Sequence, residues 1–248
     1  MTLLPSLRPE SNVGVIGASG GIGRAFVEIL AGDARVRQVH AFCRTPGDWG
    51  DSKVVSQRLD LADEGSIEAA AAAASSAAPL DLVIVATGIL HRDDRIRPEK
   101  AMREIDAGSL AEVLAVNSIG PSLVAKHFLP TLRRDYKAVF AALSARVGSI
   151  GDNRLGGWTA YRMSKAALNM LVRTMAIEQA RTAPDSVVVA LHPGTVDTPL
   201  SKPFTKQVPE SQLFTPARSA TKLLGVLDAL SSGQTGGFFA YDGSQIDY

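Results

Sequence analysis

Short apolar runs alternate with longer stretches of helical spacing along nearly the whole chain. Val13, Val15 and Ile16 form a compact run that predicts a buried strand over 13–16, followed by a glycine-rich turn. Ile22, Phe26, Ile29 and Leu30 then recur on one helical face, which predicts a helix over 22–30. Residues 36–43 predict a second strand and 53–58 a third, weaker one. The alanine-rich segment 64–78 has high helix propensity, and Pro79 closes it. Residues 82–85 are continuously apolar, as expected of a parallel strand covered on both faces. The alternation continues with a helix over 109–129, a strand over 137–143, a helix over 159–181 and a strand over 186–191. A helix over 215–230 and an edge strand over 237–241 end the pattern. Segment 199–216, rich in Pro, Ser and Lys, reads as a loop and a candidate lid. This alternation predicts an α/β fold, a doubly wound parallel sheet with helices on both faces. No composition shift marks a linker and no repeat is visible, so 1–248 is expected to form a single domain.

Composition narrows the function more than the fold. The chain has 248 residues, 26 Lys plus Arg against 25 Asp plus Glu, and a formal net charge of +1. That balance gives no broad basic field, so nucleic acid and anionic membranes are not expected partners. A single cysteine cannot build a disulfide or a Cys-rich metal cluster. The four histidines lack metal-ligand spacing, so no metal is expected. The first residues lack the pattern of a signal peptide, and no run approaches the roughly 20 apolar residues that span a bilayer. A cytoplasmic location is the expectation.

The turn Gly17-Ala-Ser-Gly-Gly-Ile-Gly23 lies between a strand and a helix. There the backbone N–H groups of Gly17, Ser19, Gly21, Ile22 and Gly23 can approach a pyrophosphate, and the helix N-terminus adds partial positive charge. The second strand ends Phe42-Cys43-Arg44, with no carboxylate to bind a ribose 2′-OH. Arg44 would instead attract a 2′-phosphate, which favours NADP(H) over NAD(H). Asp60 and Leu61 follow the third strand, where an acceptor and an apolar side chain suit adenine. Ala86, Thr87 and Gly88 end the fourth strand with side chains small enough for a cofactor to lie close.

Tyr161 and Lys165 are four residues apart, so they share a helix face. An ammonium near a phenol favours the phenolate and tunes it for proton transfer at a carbonyl or alcohol oxygen. Ser144 ends the fifth strand and could hold the same oxygen. Asn117 is a polar residue among Leu114, Val116 and Ile119, and could hold a water that relays protons to Lys165.

Taken with His192-Pro-Gly-Thr-Val-Asp-Thr198, these motifs resemble the classical short-chain dehydrogenase/reductase family over roughly 12–248. Tyr161-Arg-Met-Ser-Lys-Ala-Ala-Leu-Asn169 and Gly237-Phe-Phe-Ala-Tyr-Asp-Gly243 look closest to its carbonyl reductase, sniffer and C-factor branch. The resemblance implies a seven-stranded Rossmann-like sheet, with Gly17, Gly21 and Gly23 at the cofactor and Asn117, Tyr161 and Lys165 in the catalytic tetrad. Pro193, Gly194, Val196 and Thr198 match the motif that holds the carboxamide and phosphates. It also implies a small-molecule carbonyl or alcohol substrate and a homodimer or homotetramer. Two departures stand out. Val85-Ala-Thr-Gly88 replaces the usual Asn-Asn-Ala-Gly, and Ala145 occupies the strict serine position, leaving Ser144, or more weakly Ser149, for that role. C-factor is a signalling relative, so a cofactor-binding regulatory protein with little catalysis is the alternative.

Overall fold

The computed structural model describes residues 2–93, 95–206 and 208–248. Its strands are β1 (Ser11–Ile16), β2 (Val36–Cys43), β3 (Val54–Arg58), β4 (Leu82–Val85), β5 (Val139–Leu143), β6 (Val187–His192), β7 (Thr195–Val196), β8 (Leu213–Phe214) and β9 (Phe238–Ala240). The helices are α1 (Gly21–Ala31), α2 (Glu64–Ser75), α3 (Ala107–Leu114), α4 (Gly120–Phe128), α5 (Thr159–Gln179) and α6 (Pro216–Ala229). Seven strands pair in parallel in the order β3-β2-β1-β4-β5-β6-β9. β7 and β8 form a separate parallel pair. This is a Rossmann-like sheet. Its order reverses direction beside β1, and that switch point opens a crevice at the carboxyl ends of β1 and β4.

Alternation along each strand divides the core into two layers. Val13, Val15, Leu82 and Ile84 face α1 and α6, where Phe26, Leu30, Leu223 and Leu227 cover them. Ile16, Val83, Val85 and Phe140 face α2, α4 and α5, covered by Ile67, Phe128, Leu168 and Val172. Both faces are dry, so the central strands read as unbroken apolar runs.

Three elements depart from the sequence reading. The alanine-rich helix stops at Ser75 rather than residue 78. The Ser75 and Ser76 hydroxyls donate to the Ala71 and Ala73 carbonyls at 2.8 Å, a side-chain competition that favours helix ends. The helix expected over 109–129 is α3 and α4 joined through a π-helical turn, Ala115–Ile119. Pro121 has no N–H to give the Asn117 carbonyl, so the ordinary bond four residues back cannot form. By length and composition the whole 25-residue stretch Ala107–Thr131 is apolar enough to cross a membrane. Here it packs on α5 and α2. Segment 199–216 carries two 3-10 turns, Lys202–Phe204 and Glu210–Gln212, and β8.

The open edge of β9 is covered by the end of the chain. Ile246 N–H donates to the Phe238 carbonyl and Ala240 N–H to the Ser244 carbonyl, each at 2.8 Å. The Tyr248 hydroxyl donates to the Gly236 carbonyl, and the Tyr248 carbonyl accepts from Gly151 N–H at 3.1 Å.

Candidate active site

The crevice is built first from glycine. Gly17 has φ +85, a conformation L side chains rarely adopt, and a Cβ there would lie 2.9 Å from Thr87 Cγ2. A Cβ on Gly23 would fall 2.1 Å from the Gly17 carbonyl oxygen. Gly23 therefore lets α1 pack against the turn and does not line the cavity. Helix α1 starts at Gly20 with no side-chain cap and no acidic residue in its first turn. Its first N–H groups are left for an anion. Thr87 Oγ1 is buried in this crevice without a hydrogen-bond partner. These are the features of a dinucleotide cradle.

A cavity of ≈ 550 Å³ runs from Gly17 and Ser19 past Arg44, Asp60, Leu61 and Gly88. It is continuous, through Ser19, Ala86, Thr87 and Gly88, with a ≈ 400 Å³ cavity that adds Gly21, Ile22, Ser144, Tyr161, Lys165, Pro193 and Thr198. A third, of ≈ 350 Å³, shares Tyr161 and Ser144 and adds Gly194, Val196, Ala145, Trp158, His192 and Phe204. Arg44 is exposed at the rim of the first cavity. The lone cysteine, Cys43, lies beside it with its thiol donating to the Thr45 carbonyl at 3.1 Å. Asp60 Oδ1 accepts from Ala62 N–H at 3.1 Å. Arg92 and Glu112 pair across the same cavity, a contact that no local pattern announces.

Tyr161 and Lys165 rise from the first turns of α5, Tyr161 at the junction of the second and third cavities and Lys165 in the second. Lys165 is 3% exposed. Its Nζ donates to the Leu143 carbonyl at 2.8 Å and stands 5.8 Å from the Tyr161 ring centre. Burial pulls Lys165 down to about 8. Burial also pushes the Tyr161 phenol up. The four-residue spacing of the pair predicts an ammonium that lowers the phenol. In the free chain desolvation outweighs it, because the ammonium is turned toward a carbonyl, and the phenol keeps its proton.

The serine question takes a definite geometry. Ser144 lines the cavities, and its hydroxyl donates to Asn169 Oδ1 at 2.7 Å. Asn169 Nδ2 faces the Gly148 carbonyl at 3.4 Å, which orients the amide so that Ser144 must be the donor. Ala145 lines the third cavity, whereas Ser149 is buried with its oxygen accepting from Asp152 N–H at 3.1 Å. Asn117 lines none of these cavities. Its amide holds the Ile89 backbone at both N–H and carbonyl, each at 2.8 Å, and the Ser164 hydroxyl at 3.0 Å. A Cβ on Gly88 would lie 3.4 Å from Asn117 Oδ1 and 3.5 Å from Lys165 Nζ, so Gly88 separates the two.

Asn169, Trp158 and His192 were not singled out as site residues. Asn169 had a legible signal, since it lies four residues beyond Lys165 on the same helix face. His192 is largely buried with Nδ1 unpartnered, and burial holds it neutral at about 4.

A doubly wound sheet, a glycine cradle at its switch point and a buried Tyr–Lys pair facing it define a nicotinamide-dependent oxidoreductase. Residues 11–209 match the short chain dehydrogenase family profile, and the chain belongs to that family. It is 31% identical over 242 residues to a 1-hydroxy-2-glutathionyl-2-methyl-3-butene dehydrogenase of Rhodococcus sp. (strain AD45), covering 96% of this chain and all of that one. It is 36% identical over 150 residues to the C-signal protein of Myxococcus xanthus, covering 60% of this chain and 84% of that one. Among solved structures, NADPH-bound carbonyl reductase from chicken fatty liver superposes with a TM-score of 0.83 at 30% identity, covering 98% of this chain and 95% of that one.

Proposed function

We propose that the protein is an NADPH-dependent reductase that converts a carbonyl of a small or medium organic molecule to an alcohol. One observation carries this reading: the Tyr161 phenol stands where the cofactor cleft meets an adjoining cavity that can take a substrate. Arg44 at the rim supports the phosphorylated cofactor, because a guanidinium favours a 2′-phosphate and the second strand ends in Phe42-Cys43 without a carboxylate. The chicken carbonyl reductase, whose structure holds NADPH, adds to that support.

The Gly17–Gly21 turn, Arg44 and the Pro193–Thr198 region would hold NADPH, which would supply a hydride for the carbonyl carbon. Tyr161 donates its proton to the carbonyl oxygen. Lys165, whose Nζ donates to the Leu143 carbonyl, would hold the nicotinamide ribose and steady the phenolate that forms when Tyr161 gives up its proton. Ser144 meets the same oxygen by exchanging Asn169 for substrate as the acceptor of its proton. Asn117, through its hold on Ile89, fixes the loop that carries Gly88 beside Lys165, next to the proton path. Pro199, Leu200 and Phe204 bring the candidate lid, segment 199–216, to the wall of the substrate cavity; residue 207 of that segment lies outside the described residues. The reading extends to a cytoplasmic homodimer or homotetramer that binds neither nucleic acid nor membrane.

Titration with NADPH and NADH, followed by a carbonyl panel read through loss of reduced-nicotinamide absorbance, tests the proposal. NADPH binds more tightly and Tyr161→Phe loses on the order of 10²–10⁴-fold in turnover while keeping NADPH affinity. Tighter NADH binding, or full turnover in Tyr161→Phe, would overturn it. A second reading, cofactor-binding signalling with little catalysis, draws on Ala145 at the serine position and on the likeness to C-signal. NADPH binding with no oxidation across the panel would favour it.

A further inference from the structure

Helix α5 carries Tyr161, yet it begins in an unusual way. Gly156, Gly157 and Trp158 are three consecutive left-handed residues, with φ +64, +65 and +54. For a residue as bulky as Trp this backbone is an outlier that surrounding structure must hold in place. Trp158 is the N-cap of α5 and gives it no side-chain hydrogen bond.

The holding group comes from the loop after β4. Glu99 is 4% exposed, and its backbone carbonyl accepts from Trp158 N–H at 2.6 Å. Its carboxylate oxygens both lie 3.2 Å from Ala160 N–H. One remote residue therefore supplies both the cap that Trp158 lacks and the anchor for its strained backbone. Arg162 braces the same corner by donating to the Gly156 and Gly157 carbonyls at 3.2 and 2.9 Å.

The corner aims an aromatic wall at the reacting group. The Trp158 ring meets Tyr161 edge-on at 6.4 Å and Phe204 of the candidate lid at 5.1 Å. All three line the ≈ 350 Å³ cavity, with Leu90, Val147 and Leu200 completing its apolar side. A flat unsaturated group attached to a carbonyl at Tyr161 would find ring faces and edges there, whereas a puckered saturated ring of the same size would find area alone.

Resting on the reductase reading, we infer that Trp158 and Phe204 select carbonyls bearing a flat aryl group, and that Glu99 is the positioning residue that sets this wall.

Acetophenone and cyclohexyl methyl ketone are matched probes. The wild-type protein favours acetophenone in kcat/KM by about tenfold. Trp158→Leu and Glu99→Ala each bring the ratio near one with NADPH affinity unchanged, while Glu99→Gln, which keeps an acceptor for Ala160 N–H, retains it. Trp158 also gives a readout independent of turnover. In Trp49→Phe, which leaves Trp158 as the sole tryptophan, acetophenone quenches its emission, and adding Glu99→Ala removes the quenching. Equal ratios in wild type and Trp158→Leu, or quenching that survives Glu99→Ala, would overturn the inference. If no ketone is reduced, the reductase reading fails and quenching alone decides: its presence upholds the wall, its absence removes it. If Glu99→Ala does not fold, Trp158→Leu and Glu99→Gln carry the test.

Discussion

Lys165 works against its own burial. Its ammonium is kept in a dry site by one carbonyl, and desolvation lowers it to about 8 from the usual 10.5. Tyr161 shifts the other way and keeps its proton throughout the neutral range. The profile of kcat/KM reports groups of the free enzyme. Carbonyl reduction should therefore hold below about pH 8 and fall as Lys165 loses its charge. The sign for stability is opposite. Between about pH 8 and 10.5 the unfolded chain binds the proton that the folded chain has lost, so stability rises with pH across that window. Lys165→Met should be inactive, and its stability difference from wild type, measured by denaturant unfolding, should shift in wild type's favour between those values. A flat alkaline limb would remove Lys165 from the proposed mechanism. The Tyr161–Lys165 pair was legible in the sequence because both partners lie on one helix turn. Glu99 was not, because its partner Ala160 is 61 residues away and nothing local marks a loop glutamate as a cap.

The same division holds for elements. Strand β4 matches the expected range because burial on both faces writes itself as continuous apolar sequence. The π-helical turn is not legible in the apolar pattern, because one inserted residue leaves the stretch around it apolar and helical; Pro121 is the available signal. Helix α5 and the turn after β5 depend on one small residue. A Cβ on Gly148 would lie 2.7 Å from Lys165 Cβ and 2.8 Å from the Lys165 carbonyl carbon. Neither neighbour is the end of a flexible chain. Gly148→Ala should destabilise the fold by about 1–3 kcal/mol in denaturant unfolding and push Lys165 from its place. Turnover should then fall by more than NADPH affinity. A variant with wild-type stability and turnover would show that α5 does not bear on this turn.

At the scale of the molecule, α5 presents a second face. Met163, Met170 and Ile177 recur every seven residues and are 47%, 67% and 51% exposed. Three exposed apolar side chains in line on the outward face of the helix make a patch that contact with another molecule would bury. It supports the homo-oligomer in the proposed reading. Met170→Glu should lower the mass seen in sedimentation while the isolated chain keeps its fold. A monomeric wild type would end that proposal. The three residues were in the sequence throughout, but only the folded chain shows which face the core leaves uncovered.

The end of the chain closes the sheet. Residues 244–248 cover β9 and reach Gly236 and Gly151. An uncovered parallel edge is a template for pairing with another molecule. Removing residues 244–248 would thus affect solubility before catalysis, which a turbidity assay beside the activity assay would show.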